Sequence, residues 1–263
     1  MKGLVLVPYA SMSQESGIIY LLSHYLKEMH PTLTQIVCNG VFASCDRDRV
    51  TEWTRSLNHC SRCLHEQQAM AKWAGLQYSE LSQFLPSEDV VKTRRWIMNR
   101  TAEELWEEEW FGLSLRSAIQ GSLSERIGSL KPDFRNKLHQ SIVKRLALVA
   151  IRMANASRRL NNRLRPDVVF LANGEDVLTR SYRESAEATG VRCIRFRWNM
   201  GSRRVLIHSD RHEEYFPCEV LLDNLAQVRI DVASWPEELL LLLDKILDFL
   251  DVPHGQLRLP LAQ

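Results

Sequence analysis

The sequence predicts an α/β fold, in which a Rossmann-like parallel sheet carries a large helical insertion at about residues 93–165. Two observations lead to this fold class. The chain opens with a strand, a helix and a strand, and residues 167–198 have the pattern of a complete second βαβ unit. Parallel strands require crossover connections of this kind. We expect residues 1–263 to form a single domain.

The first βαβ unit begins with residues 3–7 (GLVLV), a continuous apolar run stopped by Pro8. Such a run is typical of a strand buried on both faces. Residues 34–37 (TQIV) predict the second strand. The loop after the first strand contains Ser11 and Ser13 but no G-x-G-x-x-G motif, so no dinucleotide site is predicted. Apolar residues at helical spacing predict the intervening helix: Ile18, Leu21, Leu22, Tyr25 and Leu26.

Four cysteines lie in the stretch 38–63, which we expect to be a cysteine-rich loop: Cys38, Cys45, Cys60 and Cys63. They form a C-x6-C pair followed by a C-x2-C pair. Thiolates are good ligands for Zn²⁺, and a C-x2-C pair presents two sulfur atoms from one turn. We therefore expect one structural zinc ion held by these four residues. An iron–sulfur cluster, a redox pair and four unpaired thiols remain as alternatives.

The insertion follows a predicted helix at about residues 64–76 and a predicted loop at 77–92. Almost all of residues 93–165 is expected to be helical. Thr101 and Glu104 have the spacing of a capping box. The acidic face of the next helix should be solvated, with the apolar side chains of Leu105, Trp106, Trp110 and Phe111 turned inward. A long helix near 134–164 has a core-facing stripe: Ile142, Leu146, Val149, Met153 and Leu160.

The second βαβ unit contains the predicted binding residues. Its first strand ends at the polar turn Asn173-Gly174-Glu175, and Arg180 lies in the following helix. Ligands of parallel sheets bind beyond the carboxyl ends of the strands, where the strand order reverses. We therefore expect the turn and Arg180 to contact a substrate together with Ser11 and Ser13. The alternative is a plain turn in which Gly174 serves only the backbone.

Further downstream, five arginines lie close together without an acidic residue between them: Arg192, Arg195, Arg197, Arg203 and Arg204. They could receive a phosphate-bearing substrate or an acidic partner, or simply face water. Residues 203–208 and 218–222 are expected to form short strands, and residues 235–251 a helix. Trp235-Pro236-Glu237 is a favourable helix start.

Composition excludes several classes of protein. The net charge of +2 does not favour nucleic-acid binding, and no segment approaches the length of a transmembrane helix. The N-terminus lacks the form of a signal peptide, so we expect a cytoplasmic protein. The sequence contains no P-loop, G-x-S-x-G or H-E-x-x-H motif, and its catalytic residues are unknown. His24 is a weak candidate for a general base near the first strand.

Two stretches together suggest a family. One is CNG…C…CSRC followed by a helix ending AGL, and the other is LRPDVVFLANGEDVLTRSYRESAEATGVR. In this order they resemble the N-terminal, acceptor-side half of GT-B-like glycosyltransferases that build bacterial surface and capsular polysaccharides. The resemblance covers roughly residues 3–200. The matching positions of the second stretch are Pro166, Asp167, Val168, Val169, Asn173, Gly174, Arg180, Gly190 and Val191.

The resemblance implies a glycosyltransferase-like domain that binds an acceptor glycan or lipid-linked sugar. In this family the sugar-nucleotide donor is held mainly by a C-terminal Rossmann domain, for which 263 residues leave no room. We therefore expect the donor domain to be absent from this chain and to be supplied, if at all, by a partner chain. The alternative is a non-catalytic, zinc-stabilised adaptor that binds other proteins.

Overall fold

The predicted α/β fold is confirmed: a central sheet of seven strands is covered by helices on both faces. The structure is a computed structural model. It describes residues 2–8, 14–29, 32–42, 44–45, 57–199, 204–209, 212–217 and 235–250.

The sheet has the order β3-β2-β1-β6-β7-β8-β9. The first five strands in this order are parallel, and β8 and β9 run antiparallel to their neighbours. The strands are β1 (Gly3–Leu6), β2 (Leu33–Val37), β3 (Gln77–Glu80), β6 (Val168–Ala172), β7 (Arg192–Asn199), β8 (Arg204–His208) and β9 (Glu213–Pro217). A separate two-stranded hairpin is formed by β4 (Glu109–Trp110) and β5 (Leu113–Ser114).

The helices of the described residues divide between the two faces. On one face lie the helices of the insertion and the helix of the second βαβ unit: α3 (Ser87–Met98), α4 (Ala102–Glu107), α5 (Leu115–Ile127), α6 (Lys137–Leu164) and α7 (Val177–Glu187). On the other lie α1 (Gln14–Met29) and α8 (Glu237–Phe249). Helix α2 (Leu57–Trp73) packs beside β2 and β3. Alternate residues of β1 enter the two cores, with Leu4 and Leu6 on the insertion side and Val5 on the α1 side.

The predicted loop at 77–92 is wrong, because the structure forms β3, a short 3-10 helix (Leu81–Phe84) and the start of α3 there. Strand β3 has no apolar run that would reveal it. It lies at the sheet edge, with Tyr78 exposed, and it is held by backbone pairing to β2. Edge strands are stabilised by this pairing more than by burial, so their hydrophobic pattern is weak.

The helical insertion is confirmed, with a correction at its centre. Thr101 and Glu104 form the predicted capping box, and Leu105 and Trp106 are buried as expected. Phe111 is not turned inward: its side chain is 67% exposed, and its φ is +51°. It occupies the tight turn of the β4–β5 hairpin, a region that was predicted to be helical.

Other boundaries also differ from expectation. Helix α2 begins at Leu57, so Cys60 and Cys63 lie in a helix rather than in a loop. The run from Leu57 to Trp73 contains no glycine or proline, and it buries Gln67 and Ala71. The whole predicted stripe of α6 is buried. Strand β9 was not predicted, and the predicted strand at 218–222 lies outside the described residues.

No helix in the described ranges combines the length and the apolar character that a bilayer crossing requires.

Candidate functional site at the strand-order reversal

The strand order reverses between β1 and β6. From β1 the chain proceeds to β2 on one side, whereas β6 lies on the other side and continues to β7. Leu6 at the end of β1 lies opposite Leu171 near the end of β6, so the carboxyl ends of the two strands are neighbours. In open α/β sheets this point leaves a crevice in which ligands bind. The predicted residues Ser11 and Ser13 follow β1 but lie outside the described residues.

Asn173 and Gly174 form the turn directly after β6. Both have left-handed backbone angles, with φ of +63° and +81°. The Asn173 N–H donates to the Phe196 carbonyl (2.9 Å), which fixes the turn to β7. A Cβ atom on Gly174 would lie 2.6 Å from Cδ of Arg195, so this position requires glycine for packing as well as for φ.

The Asn173 side chain is the polar group that the turn leaves available. It is half-buried, and no side-chain hydrogen bond joins it to any residue in the part of the chain that the structure describes. A carboxamide offers two donors and one acceptor. At the reversal point, these groups can bind a ligand hydroxyl.

Glu175 and Arg180, which were predicted to contact substrate, are paired with protein groups. Glu175 Oε1 accepts a hydrogen bond from Arg195 Nη1 (2.8 Å), and Oε2 accepts one from Arg180 Nη1 (3.1 Å). Arg183 Nη1 is 3.5 Å from Glu175 Oε1, and Arg180 Nε donates to Glu184 (3.0 Å). This ion-pair cluster fixes the turn to α7 and β7. Its role in substrate binding stays a prediction.

Arg195 is held in this cluster in a partly desolvated state. Burial lowers the pKa of its guanidinium, and neighbouring Arg183 acts in the same direction, whereas Glu175 and Glu187 raise the pKa. An arginine keeps its charge at neutral pH in spite of such a shift. Arg195 therefore serves as a counterion to Glu175. Arg197 and Arg204 are exposed, and Arg203 lies outside the described residues.

The backbone N–H groups in the first turn of α7 are already bonded to side chains of the protein. The Asp176 carboxylate accepts hydrogen bonds from the N–H groups of Leu178 (3.0 Å) and Thr179 (3.0 Å) and from the Thr179 hydroxyl. The Val177 N–H donates to Ser122 Oγ (2.7 Å). A helix N-terminus binds phosphate only through free N–H groups. The first turn of α7 is therefore unsuited to an anion.

The cysteines also lie near the carboxyl ends of the strands, beyond the end of β2. The Cys38 N–H donates to Gln67 Oε1 (3.0 Å), and Gln67 Nε2 lies 3.3 Å from Cys63 Sγ. A Cβ atom on Gly40 would lie 3.7 Å from Cβ of Cys60. The residues after β2 thus pack directly on the first turns of α2.

Cys45 contacts another element, since its carbonyl oxygen accepts a hydrogen bond from Arg126 Nη2 of α5 (2.6 Å). Cys38, Cys45, Cys60 and Cys63 form no disulfide bond with any cysteine in the described ranges. Among the described residues, no group of three or more His, Cys, Asp or Glu side chains is arranged to hold a metal ion. A zinc ion at these four cysteines remains a prediction.

The sequence analysis did not identify several polar residues near these strand ends. Asn39 Nδ2 donates to Glu80 Oε2 (2.8 Å) and to Ser82 Oγ (2.7 Å), which joins the ends of β2 and β3. Asp176 was also missed, although an Asp immediately before a helical run is a recognisable N-cap signal. His24 is not near the strand ends, because it is buried between the rings of Trp73 and Trp235 in the α1-side core.

Comparison with known proteins gives no family. No protein-family model matches the chain, and no curated protein matches it. Among solved structures, a CDPS from Fluoribacter dumoffii is similar over 71% of this chain and 81% of that chain, with 9% sequence identity and a TM-score of 0.41. A likeness at this level carries no functional argument. The α/β assignment comes from the sheet itself.

Proposed function

We propose that the chain is a glycosyltransferase-like domain of bacterial cell-surface polysaccharide biosynthesis that binds an acceptor glycan. The observation that carries the proposal is the position of Asn173, whose available carboxamide lies at the reversal of strand order between β1 and β6. The capped N-terminus of α7 adds to it, because a first helical turn whose N–H groups are already bonded suits sugar hydroxyls better than a phosphate.

In this proposal each of the predicted residues has a distinct role. Asn173 contacts the glycan, or the sugar of a lipid-linked acceptor. Gly174, Glu175 and Arg180 position Asn173 through the left-handed turn and the ion-pair cluster. Ser11 and Ser13 follow β1 in the sequence and keep their predicted role in contacting the substrate. The sugar-nucleotide donor would be held by a domain on a partner chain, and the whole assembly would act in the cytoplasm without nucleic acid.

The test uses two variants at one position. Asn173→Gly removes the carboxamide but keeps a residue suited to the +63° φ. We expect the intact chain to bind at least one bacterial oligosaccharide on a glycan array. In calorimetric titration, Asn173→Gly should lower that affinity at least tenfold with unchanged urea unfolding. Asn173→Asp, which retains the turn and one acceptor, should bind with intermediate affinity.

Two results would contradict the proposal. One is the absence of any binding glycan on the array. The other is an Asn173→Gly protein that binds as tightly as the natural sequence.

A second candidate function is a zinc-stabilised adaptor without transferase activity. The contacts that join Cys38 to Cys63 through Gln67 favour it, because they hold the segment after β2 on α2, and a zinc ion would stabilise that segment further. An adaptor would bind its partner protein equally well with Asn173 or Gly at position 173. The same variant therefore separates the two candidates.

A further inference from the structure

A second concave site lies on the helical insertion, among α3, the β4–β5 hairpin and α6. It is a pocket of about 450 Å³. Its aromatic and polar walls include Trp96, Trp110, Phe111, Asn155, Arg158 and Asn162. Its volume suits a small ligand of the size of a sugar ring or two. We call it the aromatic pocket.

Three aromatic rings form one wall of the aromatic pocket. Trp96 and Trp110 pack edge to face with centroids 4.8 Å apart, and Trp110 and Phe111 do the same at 5.2 Å. The mutually tilted rings hold one another in place, while Phe111 remains 67% exposed. An exposed phenylalanine fixed by its neighbours offers a preformed surface on which a ligand can stack.

The backbone of Phe111 adopts a conformation that phenylalanine disfavours, although its side chain is exposed. Phe111 and Gly112 are the two central residues of the hairpin turn, with φ of +51° and +83°. Asn-Gly or Gly-Gly is the ordinary choice for such a turn, since bulky residues disfavour positive φ. Only the contacts of its ring with Trp110 and Arg158 offset the cost of placing a large apolar residue in this strained and exposed position. Strain of this type is characteristic of binding sites.

The polar wall offers hydrogen-bond donors in fixed directions. Asn155 Oδ1 accepts a hydrogen bond from Trp110 Nε1 (3.0 Å), which fixes the carboxamide and leaves its N–H donors for a ligand. Asp89 and Arg159, which also line the pocket, neutralise each other at 2.7 Å. The Arg158 guanidinium lies 4.3 Å from the centroid of the Phe111 ring. The pocket thus combines stacking surfaces with hydrogen-bond donors, and Lys92 and Arg158 give its lining a positive charge.

We propose that the aromatic pocket binds a pyranose unit of a glycan. A pyranose has an apolar C–H face, which packs on the electron-rich face of an aromatic ring, and a rim of hydroxyls for the amide and guanidinium groups. The choice of carbohydrate as ligand class rests on the proposed function. On that basis the pocket holds a second segment of the acceptor glycan, away from the strand ends.

The test titrates methyl α- and β-glycosides of glucose, galactose and N-acetylglucosamine, at millimolar concentration, into the full chain. Binding is followed through the indole N–H signals of Trp96 and Trp110 in nuclear magnetic resonance spectra. We expect at least one glycoside to shift both signals. Phe111→Asn should weaken binding at least tenfold, and it should raise the melting temperature, because Asn tolerates positive φ. Phe111→Tyr keeps the ring and should bind within threefold of the natural sequence.

Leu130→Asn is the matched control, since Leu130 is also exposed on the insertion (62%) but does not line the pocket. It should leave binding unchanged. The proposal is overturned if no methyl glycoside moves the two indole signals, if Phe111→Asn binds normally, or if glucose 6-phosphate binds and neutral glycosides do not. These outcomes are independent of Asn173. If Asn173→Gly loses glycan binding on the array but keeps the indole shifts, the crevice and the aromatic pocket bind separately. The same conclusion follows if Phe111→Asn loses the indole shifts but keeps array binding.

Discussion

Gly121 of α5 lies so close to the turn after β6 that a Cβ atom on it would be 2.3 Å from the carbonyl oxygen of Glu175. The contact joins the helical insertion to the candidate crevice by backbone packing. It places a glycine in the middle of a helix, where alanine is normally preferred by about 1 kcal/mol. The insertion therefore has a direct part in shaping the turn that carries Asn173.

The first prediction concerns this contact. Gly121→Ala should destabilise the protein by about 1–3 kcal/mol, because the added methyl group meets backbone rather than a movable side chain. Urea unfolding measures the change. Arg116→Ala, at an exposed position of the same helix, should change the stability by less than about 0.5 kcal/mol. Ordinary helix propensity would instead predict that Gly121→Ala stabilises the protein. That result would refute the close approach.

A second prediction concerns metal content. If the four cysteines bind zinc, elemental analysis of the purified chain should give about one zinc ion per chain. Cys60→Ser or Cys63→Ser should abolish it and lower the melting temperature. Cys193→Ala is the control, because Cys193 lies in β7, outside the predicted ligand set. Metal-free protein that retains full thermal stability would contradict a structural zinc site.

A third prediction concerns stability at alkaline pH. Burial strongly raises the pKa of the Cys193 thiol, and Glu187 adds to the shift. The folded state therefore keeps a proton that the unfolded chain releases above about pH 8.5. The contribution of this thiol to stability is complete below that pH and is lost above it, by at most about 1.4 kcal/mol per pH unit.

The measurement is the urea midpoint between pH 8 and about 9.5, below the pH of about 10 at which the tyrosines of the unfolded chain titrate. It should fall more steeply for the natural sequence than for Cys193→Ala. Equal slopes would show that the thiol is not desolvated in the folded protein.

The two βαβ units were predictable because buried parallel strands leave continuous apolar runs. Residues 168–172 show such a run, and the polar turn after it marks the carboxyl end. Strand β3 (QYSE) could not be recognised in this way, because it is paired at an edge and half-exposed. The β4–β5 hairpin was missed because each strand has only two residues, and Phe111 breaks the turn preference that would have revealed it.

The candidate site was predictable only in its position. The Asn173-Gly174-Glu175 turn could be placed at a strand end from the sequence, but the partners of its charges could not. Arg195 and Glu175 are 20 residues apart, and the Ser122 hydroxyl that receives the Val177 N–H is 55 residues away. Such pairs depend on tertiary packing: the first needs β7 beside the turn after β6, and the second needs the insertion packed on α7. The sequence does not reveal these pairs, and for that reason it predicted Glu175 and Arg180 as substrate contacts.

The left-handed turn also affects how variation among relatives should be interpreted. Gly174 is required by its φ and by the Arg195 side chain, so its invariance would report on backbone geometry in any protein with this turn, whatever it binds. Position 173 accepts Asn, Asp or Gly on conformational grounds alone. Retention of Asn there, against the freedom to drift to Asp or Gly, would be the evolutionary signature of a ligand contact.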